Sequence, residues 1–85
     1  MNAQEILTVV QQAVQTVLEV PAAQVTRETR FAEDLSADSL ALVEIVEIVE
    51  ETLAPLAKPG FHIEDEDLDG LTTVGAAVDY ALARM

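Results

Sequence analysis

The residues best suited to carry chemistry in this sequence are Asp38 and Ser39, which stand where a helix is predicted to begin. The stretch from Ser39 to Leu53 contains neither glycine nor proline, Asp38 can cap its first turn, and Pro55 ends it. The first amides of a helix are unpaired and carry partial positive charge, so a phosphate attached to the Ser39 hydroxyl would be stabilised there. Serine is also common in the first turn of helices that do no chemistry, and Asp38-Ser39-Leu40 alone leaves both interpretations open.

Two other arrangements of reactive residues are weaker. The acidic segment at residues 65–70 (DEDLDG) begins like a calcium loop, but Ala76 stands at the twelfth position, where that loop needs a bidentate glutamate. We expect a solvated acidic turn there, with weak divalent-ion binding left open. A Ser-His-Asp set could be drawn from Ser39 and His62, yet no Gly-x-Ser-x-Gly elbow positions them and the chain is too small for a substrate cleft. We therefore expect no metal site and no catalytic residue, an exposed His62, and a Tyr80 that packs with its hydroxyl in water.

Composition and charge limit the possible functions. The 85 residues, 51% of them apolar, suffice for one small domain with an aliphatic core, since Phe31, Phe61 and Tyr80 are the only aromatic residues. Sixteen acidic residues face four basic ones, and the formal charge of −12 disfavours nucleic acid or an anionic membrane and favours a protein partner with a basic patch. The absence of cysteine excludes disulfides, thiolate metal sites and a thiol nucleophile. With no signal peptide and no membrane-length apolar run, we expect a cytoplasmic, monomeric protein.

Three amphipathic helices are predicted to position these residues. The first spans about residues 3–18, starting at a capping box of Asn2 and Glu5 and ending before Pro21. The second is the helix that begins at Ser39, and its core side consists of Leu42, Ile45, Val46, Val49 and Leu53. The third starts after a cap at Thr72 or Thr73, and its apolar stripe consists of Val74, Ala77, Val78, Ala81, Leu82 and Met85.

The connections between these helices are predicted mainly as loops. Residues 21–37 show no period, and Phe31 and Leu35 are expected to anchor them to the core. Residues 54–63 form a loop with two prolines and a glycine, and the segment that follows can make one or two helical turns. Since no strand-like alternation is present, the predicted fold class is all-α: a small four-helix bundle of three main helices and a short one, forming a single domain over residues 1–85.

Three segments resemble the acyl carrier protein family: residues 31–40 (FAEDLSADSL), 63–67 (IEDED) and 72–80 (TTVGAAVDY). Because the helix order and total length also agree, the resemblance covers nearly the whole chain. It implies that Ser39 receives 4′-phosphopantetheine from coenzyme A through a phosphopantetheinyl transferase, and that Asp38 assists the transferase's metal-bound site. The prosthetic arm would supply the thiol that the chain lacks. The protein would then be a non-catalytic carrier that tethers acyl groups as thioesters and presents them to enzymes.

The resemblance also suggests a docking surface on the second helix. Its candidate residues are Leu40, Val43, Glu44, Glu47, Glu50 and Glu51. A single glutamate on an exposed helix face merely keeps that face hydrated, but the cluster, with two apolar residues beside it, favours a site for basic partner enzymes. The expected partners are the phosphopantetheinyl transferase and acyl-processing enzymes such as an acyltransferase and a ketosynthase.

Departures from the family pattern bear on the pathway. Ser36 stands where the family commonly has glycine, Ala41 replaces a frequent acidic residue, Glu47 replaces an apolar one, and the loop at residues 54–62 is longer than usual. They favour a type II polyketide or other specialised pathway over housekeeping fatty-acid synthesis. An aminoacyl or peptidyl carrier is the nearest variant, although Ser36-Ala37 replaces its usual Gly-Gly, and an unmodified acidic interaction module would share the composition. We also expect the interior to part between the second and last helices and shelter a growing acyl chain.

Overall fold

The computed structural model describes residues 2–56, 63 and 65–84, and within them three α-helices follow the order expected from the sequence. We name them α1 (Ala3–Leu18), α2 (Ser39–Leu53) and α3 (Val74–Ala83). Short 3-10 helices cover Ala22–Gln24, Ala54–Leu56 and Asp65–Gly70. The all-α class is confirmed, and the predicted short fourth helix is a 3-10 helix of six residues rather than an α-helix.

Local interactions set the bounds of α1 as predicted. Its start is a capping box in which Asn2 Oδ1 accepts a hydrogen bond from the Glu5 amide (2.9 Å) and the Glu5 carboxylate accepts one from the Asn2 amide (3.1 Å). Its end is the left-handed backbone of Glu19 (φ 59°), two residues before Pro21. The buried side of this helix consists of Ile6, Val10, Ala13 and Val14.

The helix α1 is central to the core, because it packs extensively against both α2 and α3 while those two helices contact each other far less. The space between α2 and α3 is lined in addition by side chains from the connections, namely Phe31, Ile63 and Leu71. The core is otherwise aliphatic, as the composition predicts, and its largest fully buried side chains are those of Ile6, Val10, Val14, Val25, Ile45, Leu53, Val74 and Val78. No described helix is long and apolar enough to cross a membrane.

The last helix departs from its predicted apolar stripe at one end. Thr73 is its cap, and its buried residues include three predicted ones, Val74, Val78 and Ala81. The prediction for Leu82 is wrong, since 38% of this residue is exposed. Leu82 lies in the last turn of the helix, which ends at Ala83. Met85 lies outside the described residues.

The long connection before α2 is anchored more deeply than its sequence indicates. Phe31 is buried, as predicted, and Leu35 is half-buried against the core. Val25 is also fully buried, and its carbonyl oxygen accepts a hydrogen bond of 2.7 Å from the Gln11 side chain. The Phe31 amide donates to the Thr72 carbonyl (3.0 Å), which ties this connection to the residues just before α3.

Candidate functional site

Asp38 and Ser39 open α2, as the sequence predicts, and both residues are exposed. Asp38 is the N-cap: its backbone is extended, its Oδ1 accepts a hydrogen bond from the Ala41 amide (2.8 Å), and its carbonyl accepts one from the Leu42 amide (3.0 Å). Ser39 is therefore the first residue of the helix. The predicted cap is confirmed, and α2 ends at Leu53 as expected.

The first two amides of α2 have no hydrogen-bond partner within the described part of the chain. The amides of Ala41 and Leu42 are satisfied by Asp38, but the N–H groups of Ser39 and Leu40 make no such bond there. A helix start with open amides carries roughly half a positive elementary charge. These groups can bind an anion held on the Ser39 oxygen, so the site fits the phosphate that the sequence predicts.

A cleft of about 460 Å³ lies beside Ser39, and we refer to it as the Ser39 cleft. Its lining residues come from three parts of the chain. The helix α2 contributes Ser39 and Leu42, and the segment leading to α3 contributes Leu68, Leu71 and Thr73. The connection before α2 contributes Arg30, Phe31, Glu33 and Ala37. The lining thus combines apolar side chains with a few charged and hydroxyl groups, and it can receive a group attached to Ser39.

The space between α2 and α3 is closed. Its remaining cavity measures about 10 Å³, and we call it the interior seam. It is lined by residues from all three helices and by Ile63. Phe31, Leu42 and Leu71 line both the Ser39 cleft and the interior seam, so these three side chains border both spaces.

The candidate docking residues divide into two groups. The first group is exposed, lies within about 60° on a helical wheel, and faces away from the buried side of α2. We call it the outer face of α2, and it consists of Leu40, Glu44, Glu47 and Glu51. Leu40 is 67% exposed, and Val43, at the edge of this face, is 36% exposed. Three carboxylates and one large apolar side chain therefore lie together on solvent-accessible surface next to Ser39.

Glu50 forms the second group, because its carboxylate lies apart from the outer face. The residue is half-buried, and its Oε1 accepts a hydrogen bond of 2.9 Å from the Ile63 amide. The bond joins α2 to a segment 13 residues further along the chain. The sequence does not indicate this stabilising role, since no local pattern connects positions so far apart.

Arg30, in the lining of the Ser39 cleft, is neutralised by its own neighbours. Its guanidinium pairs with the carboxylates of Glu33 and Asp34. The hydrogen bond from the Arg30 side chain, and after it the one from the Arg30 amide (2.8 Å), lower the pKa of the Asp34 carboxyl below its ordinary value. The same side-chain hydrogen bond raises the pKa of Arg30. An anion on Ser39 therefore meets helix amides rather than an unpaired guanidinium in this cleft.

The remaining candidates from the sequence have different outcomes. His62 lies outside the described residues, so the Ser-His-Asp alternative receives no structural account. The expectation that the Tyr80 hydroxyl faces water is wrong, because it donates a hydrogen bond of 2.6 Å to Asp67 Oδ2 in the acidic turn. The Arg84 guanidinium lies 3.7 Å from the same oxygen and 3.5 Å from the centre of the Tyr80 ring. Sequence reasoning misses the pair because 13 residues separate Asp67 from Tyr80.

Ser36 occupies a backbone conformation that favours glycine. Its φ of 54° lies in the left-handed region, where a side chain crowds the following carbonyl. The chain folds back at this point, since the Ala37 amide donates to the Phe31 carbonyl (2.9 Å). The geometry gives a physical reason for glycine at this position in the family pattern, and serine is accommodated with some backbone strain.

Comparison with known proteins identifies the kind of domain that this chain forms. Residues 8–81 match the family model described as the phosphopantetheine attachment site. Together with the all-α fold, this match defines a helical domain that carries a phosphopantetheine group.

Curated relatives and a solved structure identify the family. The chain is 42% identical to an acyl carrier protein of Rubrobacter xylanophilus, over 96% of this chain and 94% of the relative. It is 40% identical to the meromycolate extension acyl carrier protein of Mycolicibacterium aurum, over 93% of this chain and 75% of the relative. The structure of a thermally stable acyl carrier protein from Enterococcus faecalis matches with a TM-score of 0.75 at 34% identity, over the full length of both chains.

This chain belongs to the acyl carrier protein family. It is a carrier rather than an enzyme, and its prosthetic group is covalently attached 4′-phosphopantetheine. Its role involves interaction with a phosphopantetheinyl transferase and with acyl-processing enzymes.

Proposed function

We propose that Ser39 is the residue to which 4′-phosphopantetheine is attached. The observation behind this proposal is the pair of open amides, at Ser39 and Leu40, beside an exposed hydroxyl. On attachment, Ser39 Oγ bonds to the phosphorus of the pantetheine phosphate as the pyrophosphate linkage of coenzyme A breaks. Adenosine 3′,5′-bisphosphate leaves, and the hydroxyl proton passes to a base of the transferase. The open amides stabilise the resulting negative charge. When bound, the group supplies the thiol that tethers acyl groups as thioesters.

Asp38 has two roles in this proposal. Its Oδ1 caps α2, while its Oδ2 makes no hydrogen bond within the described residues. The second oxygen is available to the metal-bound site of the transferase, which is the role that the family resemblance implies. Because the cap holds this carboxylate beside Ser39, one residue both starts the helix and presents the hydroxyl for modification.

Intact-mass measurement tests the attachment residue. After incubation with coenzyme A and a broad-specificity phosphopantetheinyl transferase, we expect the wild-type protein to gain one phosphopantetheine group. Ser39→Ala should gain none, whereas Ser36→Ala, which removes another exposed serine near the same helix start, should still gain one. A folded wild-type protein that gains nothing would support the unmodified interaction module instead. A group retained by Ser39→Ala would place the attachment elsewhere.

The outer face of α2 is, in this proposal, the surface that meets the transferase, the acyltransferase and the ketosynthase. It combines three carboxylates with exposed Leu40 and, at its edge, Val43. A partner with a basic patch around an apolar contact would complement this surface in both charge and polarity. The formal charge of −12 adds a long-range attraction for such partners at low ionic strength.

Charge reversal on the outer face tests the docking surface. We expect Glu44→Lys/Glu51→Lys to raise the KM of the transferase by about tenfold while the helical content stays unchanged, since juxtaposed like charges oppose association. The control is Glu19→Lys/Glu28→Lys, which changes the charge equally at exposed positions outside α2. An unchanged KM for the first variant, with no dependence on salt, would reject the docking surface.

The residue types on α2 support a proposal for the biosynthetic pathway in which the carrier works. Glu47 is exposed on the outer face where the family's fatty-acid carriers commonly have an apolar residue, and Ala41 replaces a frequent acidic one. These differences support a type II polyketide or other specialised pathway, with fatty-acid synthesis as the alternative. The mass of the acyl group on protein isolated from its own cells distinguishes them: a saturated fatty acyl group would contradict the proposal, and an aminoacyl group would indicate a peptidyl carrier.

A growing acyl chain is proposed to extend from the Ser39 cleft toward the interior seam. The shared side chains of Phe31, Leu42 and Leu71 support this path because they border both spaces. In its closed form the interior seam is too small to hold an acyl chain. The helix α2 and the α3 side of the seam must therefore move apart before a chain can enter. Identical NMR shifts of core residues for the holo form and a long-chain acyl form would contradict this path.

A further inference from the structure

One wall of the Ser39 cleft comes from the segment that leads to α3, and the apolar side chains of this wall lie in and directly after Asp65–Gly70. Leu68 and Leu71 line the cleft, and Leu71 also lines the interior seam. The Leu71 amide donates to the Leu68 carbonyl (3.0 Å), so the two leucines belong to one turn. A 3-10 helix has poorer hydrogen-bond geometry than an α-helix, so its position depends strongly on side-chain contacts with the rest of the fold.

Among the side chains that the structure describes, the polar contacts between this turn and α3 converge on Asp67. The Tyr80 hydroxyl donates to Asp67 Oδ2 at 2.6 Å, and Arg84 Nη2 lies 3.7 Å from that oxygen. The Arg84 guanidinium also stacks on the Tyr80 ring, 3.5 Å from its centre. Tyr80 and Arg84 are four residues apart and share one side of the end of α3. We call Asp67, Tyr80 and Arg84 the clasp.

We propose that the clasp determines which acyl groups the carrier accommodates, by holding Leu68 and Leu71 in the closed position. This inference rests on the proposed attachment at Ser39. A short acyl group remains in the Ser39 cleft, which is already open. A longer chain that enters the interior seam must pass Phe31, Leu42 and Leu71, which border both spaces, and of these Leu71 moves with the turn that Asp67 anchors. The three clasp residues are thus positioning residues that set the cost of admitting a long chain.

The length dependence of thioester protection tests the proposal. Wild-type protein and Tyr80→Phe are loaded with acetyl or dodecanoyl phosphopantetheine from the corresponding acyl-coenzyme A, and thioester cleavage by hydroxylamine is followed by intact mass. Tyr80→Phe keeps the ring under Arg84 and removes only the hydroxyl. We expect the dodecanoyl thioester of this variant to be cleaved about threefold more slowly than that of wild type, a ratio typical of one lost side-chain hydrogen bond, with no change for the acetyl thioester.

Two kinds of control variant distinguish the effect of breaking the clasp from the effect of a general loss of stability: conservative substitutions within the clasp and a substitution outside it. Asp67→Asn keeps an acceptor for the Tyr80 hydroxyl and should stay close to wild type, whereas Asp67→Ala should behave like Tyr80→Phe. The matched control is Arg27→Gln, which breaks another contact between a loop and α3, the pair of hydrogen bonds to Asp79. Neither Arg27 nor Asp79 lines the Ser39 cleft or the interior seam. Equal dodecanoyl protection in wild type and Tyr80→Phe, or an equal gain in Arg27→Gln, would overturn the proposal.

Hydrogen exchange of the unloaded protein tests the clasp independently of any attached group. The Leu71 amide should exchange about threefold faster in Tyr80→Phe than in wild type, and at the wild-type rate in Arg27→Gln. An unchanged Leu71 rate in Tyr80→Phe would show that the clasp does not position the turn. If Ser39 instead accepts no group while Leu71 exchange responds as expected, the attachment proposal fails and the positioning role of the clasp stands.

Discussion

The helices α2 and α3 begin with the same kind of N-cap, but their first amides differ in whether they have hydrogen-bond partners. Asp38 and Thr73 both have extended backbones, and each side chain accepts a hydrogen bond from the amide three residues on, at 2.8 and 3.1 Å. At α3, the first two amides are also satisfied, because Val74 and Gly75 donate to carbonyls of the connection before α2. At α2, the corresponding amides of Ser39 and Leu40 have no partner among the residues that the structure describes.

The difference shows what converts a helix start into a site. The amides at both helix starts carry partial positive charge. At α3, however, the Gly75 and Val74 amides donate hydrogen bonds to the Arg27 and Thr29 carbonyls, at 2.8 and 2.9 Å, and these bonds hold the connection before α2 against the helix. At α2 the partial positive charge of the first amides remains accessible beside the exposed Ser39 hydroxyl. The first residues of the two helices differ in burial in the same way, since Val74 of α3 is fully buried and Ser39 of α2 is exposed.

Among the substitutions that test this comparison, we expect the largest loss of stability at Gly75, near the start of α3. A Cβ there would lie 2.9 Å from the Arg27 carbonyl oxygen, so Gly75→Ala must displace the connection that covers α3. We expect it to lower the free energy of unfolding by about 1–3 kcal/mol, as measured by urea denaturation. Gly70→Ala is the matched control, because no described atom beyond its neighbours along the chain lies within 4 Å of its added Cβ. Equal stability of the two variants would show that the close contact at α3 is unimportant.

Removing each cap separates stability from function. Asp38→Ala and Thr73→Ala should each lower the free energy of unfolding by about 1 kcal/mol, because both remove a side-chain acceptor from the first turn. Only Asp38→Ala should slow phosphopantetheine loading, measured by intact mass over time at a temperature where both variants are folded. Asp38→Asn keeps an acceptor, so its loading rate isolates the role of the charge. Equal slowing by Thr73→Ala would remove the functional distinction between the two helix starts.

A smaller effect is expected at the turn that leads into α2. Ser36→Gly relieves the left-handed strain at φ 54°, but glycine also loses more entropy on folding, so we expect a gain below about 1 kcal/mol. Ser36→Ala retains the strain and should not be stabilised. Thermal unfolding of the three proteins measures the difference. A stability gain in the alanine variant equal to that in the glycine variant would contradict the strain at this residue.

The smallest expected effect is a dependence on pH at the loop beside the Ser39 cleft. Because Arg30 lowers the pKa of Asp34 in the folded state, the ionised carboxylate stabilises the fold above the ordinary aspartate pKa. This stabilisation should be lost as the pH falls through the lower, folded-state pKa. The stability difference between wild type and Asp34→Asn, from urea denaturation, should therefore be constant above about pH 5 and shrink in acid. Glu44→Gln is the charge-matched control, and an identical pH profile for it would contradict the Arg30 contact.

Much of the fold could be predicted because its determinants are local. The capping box at Asn2, the cap at Asp38 and the helical spacing of aliphatic residues specify three helices within a few residues of their bounds. The exposed position of Ser39 at a helix start follows from the same local pattern. Leu82 shows the limit of periodicity, since a residue on the apolar stripe is buried only where another element covers it.

Several contacts that the sequence did not reveal join distant positions. The Tyr80 hydroxyl and Asp67, and likewise Glu50 and Ile63, are 13 residues apart. Gly75 matters only because the chain returns to place the Arg27 carbonyl against it. No propensity or spacing rule reaches across such separations, because the loops between them can close in many ways until the core selects one.

By itself, the amino-acid sequence determined the class of the fold, the three helices, the acidic character of α2 and the serine at its start. These properties depend on side-chain type and short-range periodicity. Only the tertiary structure decided which helix start stays open, which carboxylates face solvent, and which side chains close the space beside Ser39. The reason is that hydrogen-bond satisfaction and burial are properties of neighbours in space, and those neighbours are brought together only when the connections pack onto the helices.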